Sequence, residues 1–315
     1  MATIRTETQA RSVARRGAAD LRGAENWVFL IPMLVFFIGY QAYPILRVLW
    51  ISFTDYKYLR PQPASWVGLE NYRNALADPL MYSGLLRAAE FTVMFLPGTI
   101  LLPLLLAVLI DRVDHQRLAA FYRIVLLIPA VIPGAMIFVL WKWLYNFQIG
   151  PINYFLVHVL HLFTEQTAPQ WLGGTALTLP AVAAFEVWWG LGYHTMFFLA
   201  GLAAIPRDLP EAARIDGANE WNLFWHVTIP RLLPILSILV VLRFGSAMAV
   251  IEEYLIFGGF NRASPTYTWT VYMYDLAFHV GDWLQGYAAA IGWIGASAMM
   301  LVVAGLLYLF RSRDG

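Results

Sequence analysis

The sequence predicts an all-α integral membrane protein with six transmembrane helices and both termini in the cytoplasm. Three observations predict it. Of 315 residues, 60% are hydrophobic and 13% charged, and the mean hydropathy is +0.60, outside the usual composition of soluble domains. Uncharged runs long enough to cross a hydrocarbon core of about 30 Å recur along the chain. Arginines crowd alternate connections between those runs, which sets the orientation. The chain has no cysteine, so disulfides, thiolate metal sites and a cysteine nucleophile are excluded.

Residues 1–26 hold Arg5, Arg11, Arg15, Arg16 and Arg22 and read as a disordered basic cytoplasmic tail. The uncharged run Trp27 to Leu46 follows; it is too long for a signal-peptide core and no small-residue cleavage site follows it, so it reads as the first span. Further uncharged runs are Phe91 to Ile110, Ile124 to Trp141 and Leu284 to Phe310. Two more spans carry charge: Leu177 to Ala204 contains Glu186, and Leu232 to Phe257 contains Arg243 and ends near Glu252 and Glu253. Arg112, Arg117 and Arg123, then Arg207, Arg214 and Arg231, then Arg311 and Arg313 fall on the side of the tail, whereas the connection from Asn146 to Ala176 has no Lys or Arg. The membrane domain thus covers 27–310, and 311–315 is a short cytoplasmic end. Prolines 97, 103, 129 and 133 lie within spans, where neighbouring helices must satisfy the backbone groups they free.

Between the fourth and fifth spans the chain turns polar, at about 207–230. Asp208 with Glu211 three residues on has the form of a capping box, with Pro210 in the first turn. A short helix runs to Gly217, the residue type that most easily takes the left-handed conformation ending a helix. Asn219 suits the cap of a second helix, whose Trp221, Phe224 and Trp225 fall at i, i+3 and i+4, a face suited to the headgroup boundary. Pro230 closes the unit and opens the next span. From these residues alone, an ordinary amphipathic loop reads equally well.

The spacing Glu211-Ala212-Ala213, three residues, Gly217, nine residues, then Val227-Thr228-Ile229-Pro230 resembles the EAA loop of permease subunits in binding-protein-dependent ABC importers. Extended as IPRDLPEAARIDGANEWNLFWHVTIP, it resembles the carbohydrate-uptake branch, the maltose and glycerol-phosphate type of sugar permease. AYPILRVLWISFTDY, GLENYRNAL, FYRIVLLIPAVIP, LWKWLYNFQIGPINYFL and GYAAAIGW extend the likeness over about residues 27–310. Two features depart from the pattern: Val227 and Ile229 stand for the usual Ile and Leu, and Gly258-Gly259 is followed by Phe260 where the family often has Pro. With no large insertion after the early helices, the chain resembles the short six-helix sugar permeases.

The resemblance implies a bundle of the type I importer kind in a bacterial or archaeal plasma membrane. It implies a second, similar permease, two P-loop ATPase subunits that bind ATP and Mg, an extracytoplasmic solute-binding protein and a carbohydrate substrate; no nucleic acid is implied. It carries over an ATPase-coupling role to Glu211, Ala212, Ala213, Asp216 and Gly217. The chain has no P-loop of its own, because its lysines, Lys57 and Lys142, follow Tyr56 and Trp141 and not the glycine that a Gly-Lys-Ser/Thr cradle requires. A stand-alone secondary transporter would normally show an internal repeat, and none is visible. An intramembrane enzyme needs a nucleophile with a base or a metal triad, and neither assembles.

Arg243 lies twelve residues beyond Arg231, about 18 Å up its helix, and Glu186 nine residues beyond Leu177, about 14 Å down its own. Both reach mid-membrane, where an unpaired Arg costs at least about 2.5–3.5 kcal/mol. Two readings follow: a structural ion pair between packed helices, or a translocation path. Glu186, Trp189, Tyr193 and Phe197 share one helical face; Arg243, Ser246, Val250 and Tyr254 share another. Charged groups beside rings suit a polyol, whose hydroxyls need hydrogen bonds while its C–H faces pack on aromatics. Glu186, Trp189, Tyr193, Arg243, Ser246 and Tyr254 are therefore the candidate substrate-path residues. Glu252, Glu253 and Lys142 read as solvated helix ends, or else as an outer gate. His158 and His161 have a metal-compatible spacing, but no third ligand stands out nearby.

Overall fold

A computed structural model of the chain describes residues 30–60 and 62–311. The basic tail over 1–26, the start of the first span at Trp27 and the end at 312–315 lie outside the described residues. The regular structure of the described residues is helical, with one isolated antiparallel bridge between Thr54 and Trp66.

Helix α1, Leu30–Ser52, has no part of its apolar window buried. The short α2, Glu70–Ala77, precedes α3, Pro79–Asp111. Asp78 caps α3 by accepting the Leu80 N–H at 2.8 Å, and Pro79 sits in the first turn, where a missing N–H costs nothing. Pro97 and Pro103 lie inside α3. Helices α4, Gln116–Val131, and α5, Gly134–Leu144, follow. Then come α6, Pro151–Tyr154, which runs into a π-helical turn, and α7, Thr178–Ala203. The polar stretch forms α8, Asp208–Ile215, and α9, Glu220–Leu223; α9 passes through the π-helical Phe224–Thr228 into α10, Ile229–Met248. Last are α11, Glu252–Phe257, α12, Trp269–Phe278, and α13, Gln285–Arg311.

Among the described residues four helices are long and apolar enough to cross a membrane, and five if the α4–α5 pair counts as one span. The third expected span is not straight: α4 and α5 meet at 92°. Pro133 accounts for this. It disfavours the helical conformation for the residue before it, and Ile132 is extended at φ −72°, ψ 129°. The fifth expected span is broken over 249–251, between α10 and α11. At its other end, the surface helix expected before Pro230 is continuous with α10 and forms the first turns of the span.

Helix α3 is the central post, packing most extensively against α7 and also against α10 and α12. Two apolar clusters stack along it. One gathers Phe91 and Phe95 with Phe138, Phe185, Phe257 and Trp269; the other gathers Ile100, Leu104 and Ala107 with Phe198, Leu199 and Leu232. Lipid removes the hydrophobic drive between spans, so close backbone approach matters more. At Gly192 of α7 a Cβ would run into the backbone carbonyl of Leu126 in α4.

In the first turns of α3, Arg87 Nη1 donates to the carbonyls of Arg262, Ser264 and Tyr267 at 3.0–3.1 Å. The guanidinium thereby holds the 258–268 loop, where Phe260 departs from the expected proline. The loop still turns at Gly259, with φ +60°.

Candidate functional site

The polar stretch is built by local chemistry. Helix α8 ends in a Schellman motif: the Ala218 N–H donates to the Ala213 carbonyl at 2.9 Å and the Gly217 N–H to that of Arg214 at 3.1 Å. This motif needs a left-handed residue, and Gly217 has φ +86°. Asn219 then caps α9, accepting the Asn222 N–H at 2.8 Å. The expected capping box is absent. Arg207 occupies the cap position in helical conformation with no side-chain cap bond, and Asp208 is already inside the helix.

On α8, Glu211 and Ala212 are exposed and Ala213 is half-buried; Asp216 and Gly217 are exposed at its end. Ile215 is 87% exposed on the same short helix. Behind α8 the Glu220 carboxylate bridges two guanidinium groups, Arg112 at 2.8 Å and Arg214 at 3.3 Å. These three side chains line a cavity of about 440 Å3 with Arg207, Leu223 and Phe224. Trp221 and Trp225 project outward, their rings 5.6 Å apart.

The second constellation lies where α3, α7 and α10 meet. Glu186, Trp189, Arg243 and Ser246 line one cavity of about 280 Å3, together with Phe91 and Phe95. Four of the six expected path residues are thus brought together. The other two do not line it: Tyr193 is 55% exposed beside Phe197 at 5.0 Å, and Tyr254 is buried edge-on against Phe91 at 5.5 Å, behind the wall near Glu186 and Glu253, its hydroxyl without a hydrogen-bond partner.

The structural ion pair, one of the two readings of Glu186 and Arg243, does not form; no bridge within 4 Å joins these side chains. Glu186 Oε1 and Arg243 Nε are both buried without a hydrogen-bond partner. The Arg243 guanidinium instead lies over the Phe95 ring, 4.9 Å from its centroid. The charged neighbours of Glu186 are Glu253 and Arg243; Glu252 and Glu253 both line the cavity, Glu252 staying exposed as a solvated helix end would be and Glu253 half-buried. The break over 249–251 brings Glu253 against Glu186. Carbonyls freed by that break are satisfied from α12: Trp269 Nε1 donates to Met248 at 2.9 Å and Thr270 Oγ1 to Val250 at 2.6 Å. Irregular backbone at membrane depth needs such protein partners. Trp189 is fixed as well, its indole donating to the Pro129 carbonyl at 3.0 Å beside the α4–α5 bend.

Phe91, Phe95, Glu252 and Glu253 were missed as cavity residues. The i, i+4 spacing of Phe91 and Phe95 was available in the sequence, whereas nothing in Ala249-Val250-Ile251 announces the break. Lys142 donates to the Ile256 carbonyl at 2.6 Å and ties α5 to α11. His158 packs on Tyr154 at 4.8 Å and His161 contacts the Val157 carbonyl at 3.1 Å.

Residues 82–313 match the family described as "Binding-protein-dependent transport system inner membrane component". The chain is 29% identical over 286 residues to the inner membrane ABC transporter permease protein YcjO of Escherichia coli K12, spanning 91% of this chain and 92% of that one. It is 28% identical over 293 residues to the arabinooligosaccharides transport system permease protein AraP of Bacillus subtilis, spanning 93% and 90%. Its fold matches a chain of a solved bacterial ABC transporter involved in the import of the acidic polysaccharide alginate, at TM-score 0.80 and 19% identity over 95% of this chain and 99% of that one. On the family match across most of its length and the agreement of fold, the chain belongs to the binding-protein-dependent transport system inner membrane components, the permease subunits of ABC importers.

Proposed function

We propose that this chain forms half of the translocation path of an ATP-driven importer for a carbohydrate, and that α8 docks on a separate P-loop ATPase. The observation that carries the coupling assignment is the Schellman turn at Gly217. It leaves a short helix with Glu211 and Ile215 exposed, rigidly joined through α9 to α10. A surface with the Glu211 carboxylate, one large apolar side chain and small residues between them suits insertion into a groove of another protein. The carbohydrate assignment rests on relatives named for arabinooligosaccharide and sulfoquinovosyl glycerol transport, and on a cavity that combines rings with unpartnered polar atoms.

In this reading α7 joins the five apolar spans as the fourth of six, and the arginine-rich connections support a cytoplasmic position for both termini and α8. Residues 27–310 form the membrane domain, preceded by the basic tail. A second permease completes the path, and an extracytoplasmic binding protein delivers the substrate. Copurification is the test. The protein isolated from membranes should bring down a P-loop ATPase and a second permease, and saccharide with binding protein should stimulate ATP hydrolysis. Purification as a lone chain that transports without ATP would instead establish a secondary transporter.

A further inference from the structure

Glu186 is 6% exposed, and its Oε1 has no hydrogen-bond partner at the wall of the 280 Å3 cavity. Buried Nε of Arg243 is likewise unpartnered at the same wall. A buried polar atom left without a partner costs stability, and one acceptor and one donor remain open here together. Their own charges do not explain them, since the two groups form no ion pair and Arg243 is held over Phe95. Two carboxylates, Glu186 and Glu253, are the acidic neighbours of the guanidinium, and Glu252 lines the cavity from an exposed position.

We propose that this cavity, between α3, α7 and the break after Met248, is a subsite for a single ring of a neutral saccharide, with Glu186 accepting from and Arg243 donating to ring hydroxyls. The inference rests on the carbohydrate-importer reading and specifies the substrate class. A hydroxyl both donates and accepts, so it satisfies either orphan atom. The sugar's C–H faces pack on Phe91, Phe95 and Trp189. At about 280 Å3 the cavity lies at the small end of ligand sites, which begin near about 300 Å3; that volume suits one ring. A uronate would bring a carboxylate beside those of Glu186 and Glu253, which like-charge repulsion opposes. This chain's path thereby differs from what an acidic polysaccharide requires.

The test uses the importer with its ATPase subunits in proteoliposomes. The probes are neutral gluco- and arabino-oligosaccharides and uronate oligomers of matched length. Neutral probes added without binding protein should change the fluorescence contributed by Trp189, taken as the difference from Trp189→Phe, and uronates should not. Neutral uptake should fall about ten- to hundredfold in Glu186→Leu, the worth of one hydrogen bond to a charged group, with membrane level and bound ATPase unchanged. Glu186→Gln, which keeps an acceptor oxygen, should recover most of that loss. If Gln is as damaging as Leu, Glu186 acts as a counter-ion and the subsite is overturned. Equal responses to uronates and neutral sugars also overturn it, while leaving the carbohydrate reading intact. Uptake of a non-sugar solute with no saccharide transported would overturn both.

Discussion

The Glu220 carboxylate lies 2.8 Å from the Arg112 guanidinium. This joins the first residue of α9 to the C-cap of α3, the post on which both apolar clusters are built. The same carboxylate reaches back to Arg214 on α8 at 3.3 Å. One acidic side chain therefore connects the proposed docking helix to the interior bundle by a route separate from the backbone. About half of each side chain is exposed, so each bridge contributes at most about 1 kcal/mol.

Reversing Glu220 should matter more for coupling than for stability. Glu220→Lys places three cations together and should lower ATP-driven uptake severalfold, with little change in membrane level. The double variant Glu220→Lys, Arg112→Glu should restore much of the uptake. Transport assays on vesicles with matched protein content check this; full activity in the single variant would remove the bridge from the coupling route.

Gly217 tests the docking helix itself. No neighbour lies within 4 Å of a Cβ placed there, so the cost of substitution is conformational. A β-branched residue at φ +86° is strained by about 1–3 kcal/mol. Gly217→Val, or Glu211→Lys on the exposed face, should leave the protein inserted but abolish substrate-stimulated ATP hydrolysis. Asn222→Ala should do little, because the Asn219 cap binds the Asn222 backbone N–H, which the substitution retains.

Arg87 tests the outer loop. Arg87→Met deprives the carbonyls of Arg262, Ser264 and Tyr267 of a shared donor. Loss of such partners costs about 1–3 kcal/mol where water cannot replace them. The variant should show new proteolytic cleavage within 258–268 at temperatures where the wild-type loop resists. An unchanged cleavage pattern would mean that the turn at Gly259 suffices to hold it.

Asp78 predicts the acid branch of stability. Burial raises its pKa, but this is outweighed by hydrogen bonds from the Tyr272 hydroxyl, the Leu80 N–H and the Tyr287 hydroxyl, so the carboxyl lies below its ordinary value of 3.8. A depressed pKa contributes stability that is present above the unfolded value of about 3.9 and lost as pH falls through the folded one. Thermal stability should therefore drop below about pH 4. Asp78→Asn should remove part of that pH dependence while lowering stability at neutral pH, measured by thermal unfolding between pH 3 and 7.

Much of this was legible because it is local. Gly217, Asn219 and the apolar runs announce their conformations through residue type, and the helical faces of Glu186 and Arg243 follow from period alone. The 92° bend had a visible cause in Pro133 but no visible angle. The break over 249–251 had neither, because its sequence is Ala-Val-Ile and its stability comes from Trp269 and Thr270, about twenty residues later. That break decides where Glu252 and Glu253 point, so the acidic side of the cavity was hidden. The capping-box expectation failed for a related reason: Asp208 and Glu211 have the right spacing, but the helix begins at Asp208 with Arg207 as its cap.

Helix α7 carries Glu186, Trp189 and His194 and is, among the described residues, the one long helix that falls short of the apolar composition for crossing a membrane by itself. Its polar side chains are buried against α3 and α4, with His194 2% exposed and Thr195 0%. On the six-span topology, its residence in the bilayer is therefore a property of the assembled bundle and not of its own segment. On that topology, its insertion should depend on the more apolar α3 and the α4–α5 pair. Anything that loosens their seam, as a side chain at Gly192 would, should first appear as mis-threaded chain and rapid turnover, before any fault in transport can be measured.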